Sequence, residues 1–215
     1  MAEPTPPKIP ARPAAASPLD DDLRDDGVYL SLHYAGADLV GRDAEDVEFE
    51  RVRFTDVRLS DSRLRNAGLA DVEFTGCDLA NARFLDSRLF NTAVTSCRLT
   101  GAHWVECGFR DVLFDGCRAD LSSFRYGRFK RVLFRDCNLE EANFQNADLR
   151  GVRFENCKLA GAQFSGANLT DARFTGCDLW DVAGVENLRG AILSAADAQA
   201  LLPAFAAALG ITIEP

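Results

Sequence analysis

Histidine is nearly absent from this chain: His33 and His103 are the only two in 215 residues. Triad and general acid–base chemistry rely on that side chain, and neither copy has the company such chemistry needs. His103 falls on an outward column with Arg83, Ser123 and Asn143, where no carboxylate completes a Ser–His–acid set. No glycine-rich phosphate loop is present. Gly76, Gly101, Gly116, Gly151 and Gly161 instead recur at one position of a repeat and read as corner residues. No apolar run reaches the ~18 residues of a membrane-spanning helix. The chain is expected to be non-catalytic, to carry no cofactor or metal, and not to enter a membrane.

What is present is a nested period. Cys77, Cys97, Cys117, Cys137, Cys157 and Cys177, six of the seven cysteines, stand 20 residues apart. Within that period lies a finer one. From Leu39 to Leu179 every fifth residue is a centre, 29 in all, of which 12 are Leu and 13 are Phe; Ala44, Val94, Trp104 and Ala119 complete the set. Two positions before each centre stands a small or slim residue, as in Val52, Val57, Ala67, Val72, Cys77 and Ala82. The positions between are mostly polar. Neither the 3.6-residue helical period nor simple strand alternation fits such a run. A period of five inside a period of twenty gives four equal sides per turn, a square solenoid.

The twenty-residue register places like on like. Phe114, Phe134, Phe154 and Phe174 share one column, Leu139, Leu159 and Leu179 another, and Phe124, Phe144 and Phe164 a third. Such columns pack when successive turns lie about 4.8 Å apart. The cysteines form a column too. Their Cβ vectors run parallel, which disfavours the torsion a disulfide requires, and one thiol per turn does not converge on a metal. They read as small buried hydrophobes.

Runs such as Ala147-Asp148-Leu149-Arg150-Gly151, Ala167-Asn168-Leu169-Thr170-Asp171 and Cys177-Asp178-Leu179-Trp180-Asp181 resemble the A(D/N)LXX units of the pentapeptide-repeat family. The resemblance covers about two thirds of the chain. It implies an all-β fold, a right-handed quadrilateral β-helix, here with a short C-terminal helical cap. It also implies a homodimer, because family members commonly associate through such C-terminal elements.

Three segments are expected: residues 1–27 a tail, residues 28–184 the β-helix, and residues 185–215 a cap or dimerisation element. Met1 to Ser17 is rich in Pro and Ala, lacks the apolar core of a signal peptide, and reads as disordered. A cytoplasmic location is expected. Tyr29, Leu30, Leu32 and Tyr34 are expected to start or cover the first coil. Beyond Leu179 the phase fails. Ser194 and Asp197 look like a helix start, Gly210 a stop, and Pro203 the start of a second short helix. Ile211 and Ile213 alternate like a short strand. Leu201, Leu202 and Phe205 are expected to cover the last coil and meet a second copy.

With a filled shaft, function must lie on the outer surface, at the ends or in the tail. The net charge is −9, with an acidic cluster at the start of the shaft, Asp43, Glu45, Asp46, Glu48 and Glu50, as candidate partner-binding residues. Arg110, Arg128, Lys130, Arg131 and Arg150 form a basic patch further on. Outward apolar neighbours, Leu85 with Val105 and Leu113 with Leu133, suit a protein-interaction scaffold. The alternative comes from the resemblance: one branch of the family mimics duplex DNA, binds DNA gyrase and blunts fluoroquinolone-type poisons. Acid composition fits that branch, and the basic patch opposes it. The same basic patch with Arg125 and Tyr126 would be the site for nucleic acid, which the overall negative charge disfavours.

Overall fold

The computed structural model describes residues 3–17 and 19–212. The chain winds into a quadrilateral β-solenoid of about nine turns. Successive turns are related by 20 residues: Arg88–Thr95 pairs in parallel with Gly68–Thr75 on one side and Gly108–Asp115 on the other, each residue opposite its counterpart 20 positions away. Arg128–Arg135 continues the ladder. In these four strands two adjacent sides of the square run together as one eight-residue strand. A third side forms a smaller sheet from Asp43–Glu45, Arg63–Arg65, Arg83–Leu85 and His103–Val105.

The corners explain the five-residue period. Every fifth residue from Asp26 to Asp181 has a positive φ, near +47° to +72°. This left-handed conformation turns the chain by one side of the square. Asp, Asn and Gly predominate there because short polar side chains and glycine tolerate it best, but Leu121, Tyr126 and Arg131 also adopt it. The solenoid holds them, since corner N–H groups bond to the next turn, as Asp46 to the Arg65 carbonyl at 3.0 Å and Tyr126 to that of Gln145 at 3.1 Å.

Inward side chains fill the shaft. Phe114 stacks on Phe134 at 4.7 Å between ring centroids and 5° between planes, Phe134 on Phe154 at 5.2 Å and 6°, and Phe154 on Phe174 at 4.9 Å and 7°. Neighbouring columns meet edge to face, as Phe124 and Phe134 do at 5.6 Å and 78°; both geometries suit the quadrupole of the ring. The phase begins two centres before Leu39. Tyr34 stacks on Phe54 at 4.9 Å and Tyr29 on Phe49 at 5.0 Å, so both belong to the first coil.

The N-terminal tail departs from the disorder that its composition suggests. Ala14–Ala15 pairs in parallel with Leu32–Ala35, and residues before it run along the shaft across successive turns. Lys8 donates its N–H to Asp71 at 2.9 Å, Thr5 donates N–H and hydroxyl to Asp111 at 3.4 and 3.3 Å, and Glu3 pairs with Arg153 at 2.9 Å. Composition misleads because a proline-rich segment need not build its own core to be ordered. It is extended beforehand and here rests on a surface that is already folded.

At the C-terminus a 3₁₀ turn, Val185–Leu188, ends the regular coils, and Ile192–Leu193 pairs with Arg173–Thr175 one residue short of the twenty-residue register. Helices Ala195–Ala200 and Leu202–Ala208 follow. Ser194 caps the first, accepting from the Asp197 N–H at 3.1 Å, and Pro203 sits in the first turn of the second. Gly210 has φ +69°, the conformation that ends a helix. Ile211 is not in a strand, and Ile213 lies outside the described residues.

Candidate functional site

The side chains of the shaft are buried against one another. All seven cysteines are reduced and buried. Ladder thiols reach back to carbonyls of the preceding turn, Cys117 to Val94 at 3.2 Å and Cys157 to Phe134 at 3.4 Å. Cys97, Cys117 and Cys157 are held protonated by hydrogen bonding to neighbouring thiols and by burial; the isolated Cys107 is pushed up to about 12 by burial. Partial burial, helped by Arg83, lowers the basicity of His103. Among the described residues no three His, Cys, Asp or Glu side chains come together to hold a metal ion.

The acidic cluster spans two sides and a corner. Asp43, Glu45, Asp46, Glu48 and Glu50 are all exposed, but cations answer three of them: Arg63 lies 3.8 Å from Asp43, Arg65 3.4 Å from Glu45 and Arg51 3.1 Å from Glu50. Asp46 accepts from Asn66 in the next turn. The side before alternates in the same way, with Arg58 on Asp38 and Arg98 on Asp78, both at 2.9 Å. One corner is acidic over its first five turns, where Asp26, Asp46, Asp86 and Glu106 occupy it with Asn66 between; Tyr126, Asn146 and Gly166 follow.

The C-terminal triplet divides. Leu201 is fully buried under the last coil, so it closes this shaft and cannot meet a second copy. It points inward because it lies at the junction of the two helices, where the chain turns back over the shaft. Leu202 and Phe205 are 58% and 36% exposed and, with Leu209 and Ile211, leave an apolar surface uncovered. Trp180, 60% exposed, lines a shallow groove with Pro203 and Ala204 beside it.

The basic patch is a groove. Arg128, Lys130, Arg131, Arg150 and Arg153 line a depression of about 610 Å³ with Pro4 at its wall. Arg131 is committed to Asp111, and Arg150 to Asp148 at 2.7 and 2.6 Å. Those hydrogen bonds, the Arg131 bond first, hold the Asp111 carboxyl below the usual range; Arg150 does the same for Asp148. Arg128 and Lys130 have no carboxylate within ion-pair distance among the described residues. Leu133 stands at an outward position, yet it is fully buried. The tail, anchored at Asp111 one turn before and Arg153 one turn after, passes over this corner. The contribution of the tail was missed in the sequence; its signal is Pro4, Pro6, Pro7, Pro10 and Pro13, which favour a straight extended chain.

Comparison with known proteins agrees with this architecture. The pentapeptide repeat region matches residues 87–164, and pentapeptide repeats in eight copies match residues 35–69. The chain belongs to the pentapeptide-repeat family. Among solved structures it is similar to a trypsin-treated variant of QnrB1, a plasmid-mediated fluoroquinolone resistance protein, at 22% identity over 87% of this chain and 100% of that one, with a TM-score of 0.40. HetL, involved in heterocyst differentiation regulation in the cyanobacterium Nostoc, is 20% identical over 79% of this chain and 90% of its own, with a TM-score of 0.32. Among curated protein sequences none matches the chain.

Proposed function

We propose that this protein is a non-catalytic interaction scaffold that binds another protein through the outside of its rod. The observation that carries this reading is the filled shaft: from Tyr29 to Leu179 the centres are buried against one another, so the outer surface remains for recognition. The partner-facing elements are the acidic end, with Asp43, Glu45, Asp46, Glu48 and Glu50, and the apolar C-terminal surface of Leu202 and Phe205, which pairs two copies. Seven unpaired thiols suit a reducing, cytoplasmic setting. Affinity capture tests the first element. Native protein and a variant with the five acids reversed to Lys are compared as baits, and a partner retained equally by both removes the acidic end from the interface.

A second reading, modulation of a type II topoisomerase such as DNA gyrase by mimicry of DNA, draws on the acidic corner of Asp26, Asp46, Asp86 and Glu106. The ion pairs along the neighbouring side weigh against it, because they interrupt a continuous negative surface. A gyrase supercoiling assay with and without a fluoroquinolone decides. If the protein neither inhibits the enzyme nor protects it at concentrations well above the enzyme's, this second reading fails.

A further inference from the structure

The tail crosses the solenoid at right angles to its strands and in register with its turns. Thr5 and Lys8 are three residues apart, and their acceptors, Asp111 and Asp71, lie on one corner column two turns apart. Three residues of a polyproline helix rise about 9.3 Å, and two turns of a β-solenoid rise about 9.6 Å. Pro6 and Pro7 fill the interval and have no N–H to leave unpaired. The pattern X-Pro-Pro-X thus presents one donor to every second turn. Two residues before Thr5, Glu3 reaches Arg153, at the edge of a groove in which Arg128 and Lys130 have no carboxylate partner among the described residues.

We propose that this corner is a recognition track for extended, proline-rich peptides bearing an acidic residue, and that the chain's own tail occupies it in cis. A ligand needs a backbone N–H on each side of a Pro-Pro pair, for Asp111 and Asp71, and a carboxylate two residues earlier for Arg153. The tethered tail competes at an effective concentration in the millimolar range, so a peptide from a partner binds only in proportion to the fraction of chains whose tail is displaced. This deepens the scaffold reading, on which it rests, by giving the partner a chemistry; it is independent of the acidic end and of any topoisomerase.

The probe is a fluorescein-labelled peptide with the sequence of residues 1–13, titrated by anisotropy against two full-length chains. One is native. The other carries Thr5→Pro and Lys8→Pro, which remove both donors from the tail and leave the track intact. Elastase cleavage after Ala11, a bond present in both chains, reports release of the tail. The expected result is faster cleavage and at least about tenfold tighter peptide binding in the double variant, because its tail no longer competes. A Glu3→Lys probe should bind several-fold more weakly, with the difference shrinking as salt rises. Should the double variant misfold, Glu3→Lys in the full chain loosens one surface anchor only and gives intermediate affinity for the native probe. Equal elastase rates for native and released tails, or a folded, released chain that binds the probe no better than native, overturns the proposal. Loss of peptide binding leaves capture through the acidic end untouched, so the two readings fail separately.

Discussion

The two ends of the shaft are closed by different means. At the N-terminal end the last aromatic rings, Tyr29 and Tyr34, carry their own polar caps: their hydroxyls donate to the carbonyls of Asp22 and Asp21, both at 2.8 Å, and Leu23 is buried against them. At the C-terminal end no aromatic closes the shaft. Leu201 plugs it, and the Asp197 carboxylate takes the Cys177 N–H at 3.0 Å. In the shaft that kind of donor is satisfied by the next turn, as Cys77 is by Cys97. The first closure uses a short loop. The second uses two helices, and a helix that buries one face presents another. Leu202, Phe205 and Leu209 are that other face. At the C-terminal end the residue that closes the shaft, Leu201, is thus distinct from the residues left exposed.

The interior of the shaft sets the scale for breaking either end. Phe134→Ala should cost about 3–5 kcal/mol, because stacked turns above and below cannot collapse into the space; thermal or denaturant unfolding measures it. Leu201→Ala should cost about 2–4 kcal/mol, with the loss appearing first as faster amide exchange in the last coil. A loss as small as that of an exposed leucine would show that the helices do not close the shaft. Tyr34→Phe removes one hydroxyl bond at the opposite end and should cost about 1 kcal/mol.

The tail adds a pH term. The Asp111 carboxyl is depressed by its bond to Arg131 and then by the N–H of Thr5. A depressed carboxylate stabilises above the ordinary carboxylate range, and that contribution is lost as pH falls through the lowered value. Arg110 also lies near Asp111, at 3.9 Å. The tail should thus stay docked at neutral and mildly acid pH and detach only below the usual carboxylate range, as followed by the Thr5 and Lys8 amide resonances. Smallest in stability is Leu202→Glu with Phe205→Glu, expected within about 0.5 kcal/mol yet converting a homodimer to a monomer in light scattering. A native protein already monomeric at high concentration would make the exposed face idle.

Much of this was legible in the residues. The centres from Leu39 to Leu179, the stacking of Phe114 on Phe134 and Phe154, the corner glycines and the Ser194 helix start all follow from spacing. The candidate surfaces were less so. The acids at residues 43–50 read as one cluster, but Arg63 and Arg65 come to them from the next turn. Leu133 read as exposed because its register is outward. Leu201 was grouped with Leu202 and Phe205 because the three are close in sequence and alike in chemistry.

By itself the sequence determined the shaft, because its ladder pairs residue i with residue i+20, and a period in the chain is then a contact map. The tertiary structure alone decided what lies across that period. The docking of Thr5 on Asp111 spans 106 residues and that of Glu3 on Arg153 spans 150; each occurs once, so no repetition marks it. The fate of Leu201 was settled by the angle at which two short helices return over the last coil. Such contacts depend on where a finished surface presents its carboxylates and gaps, a property that exists only after the turns have stacked.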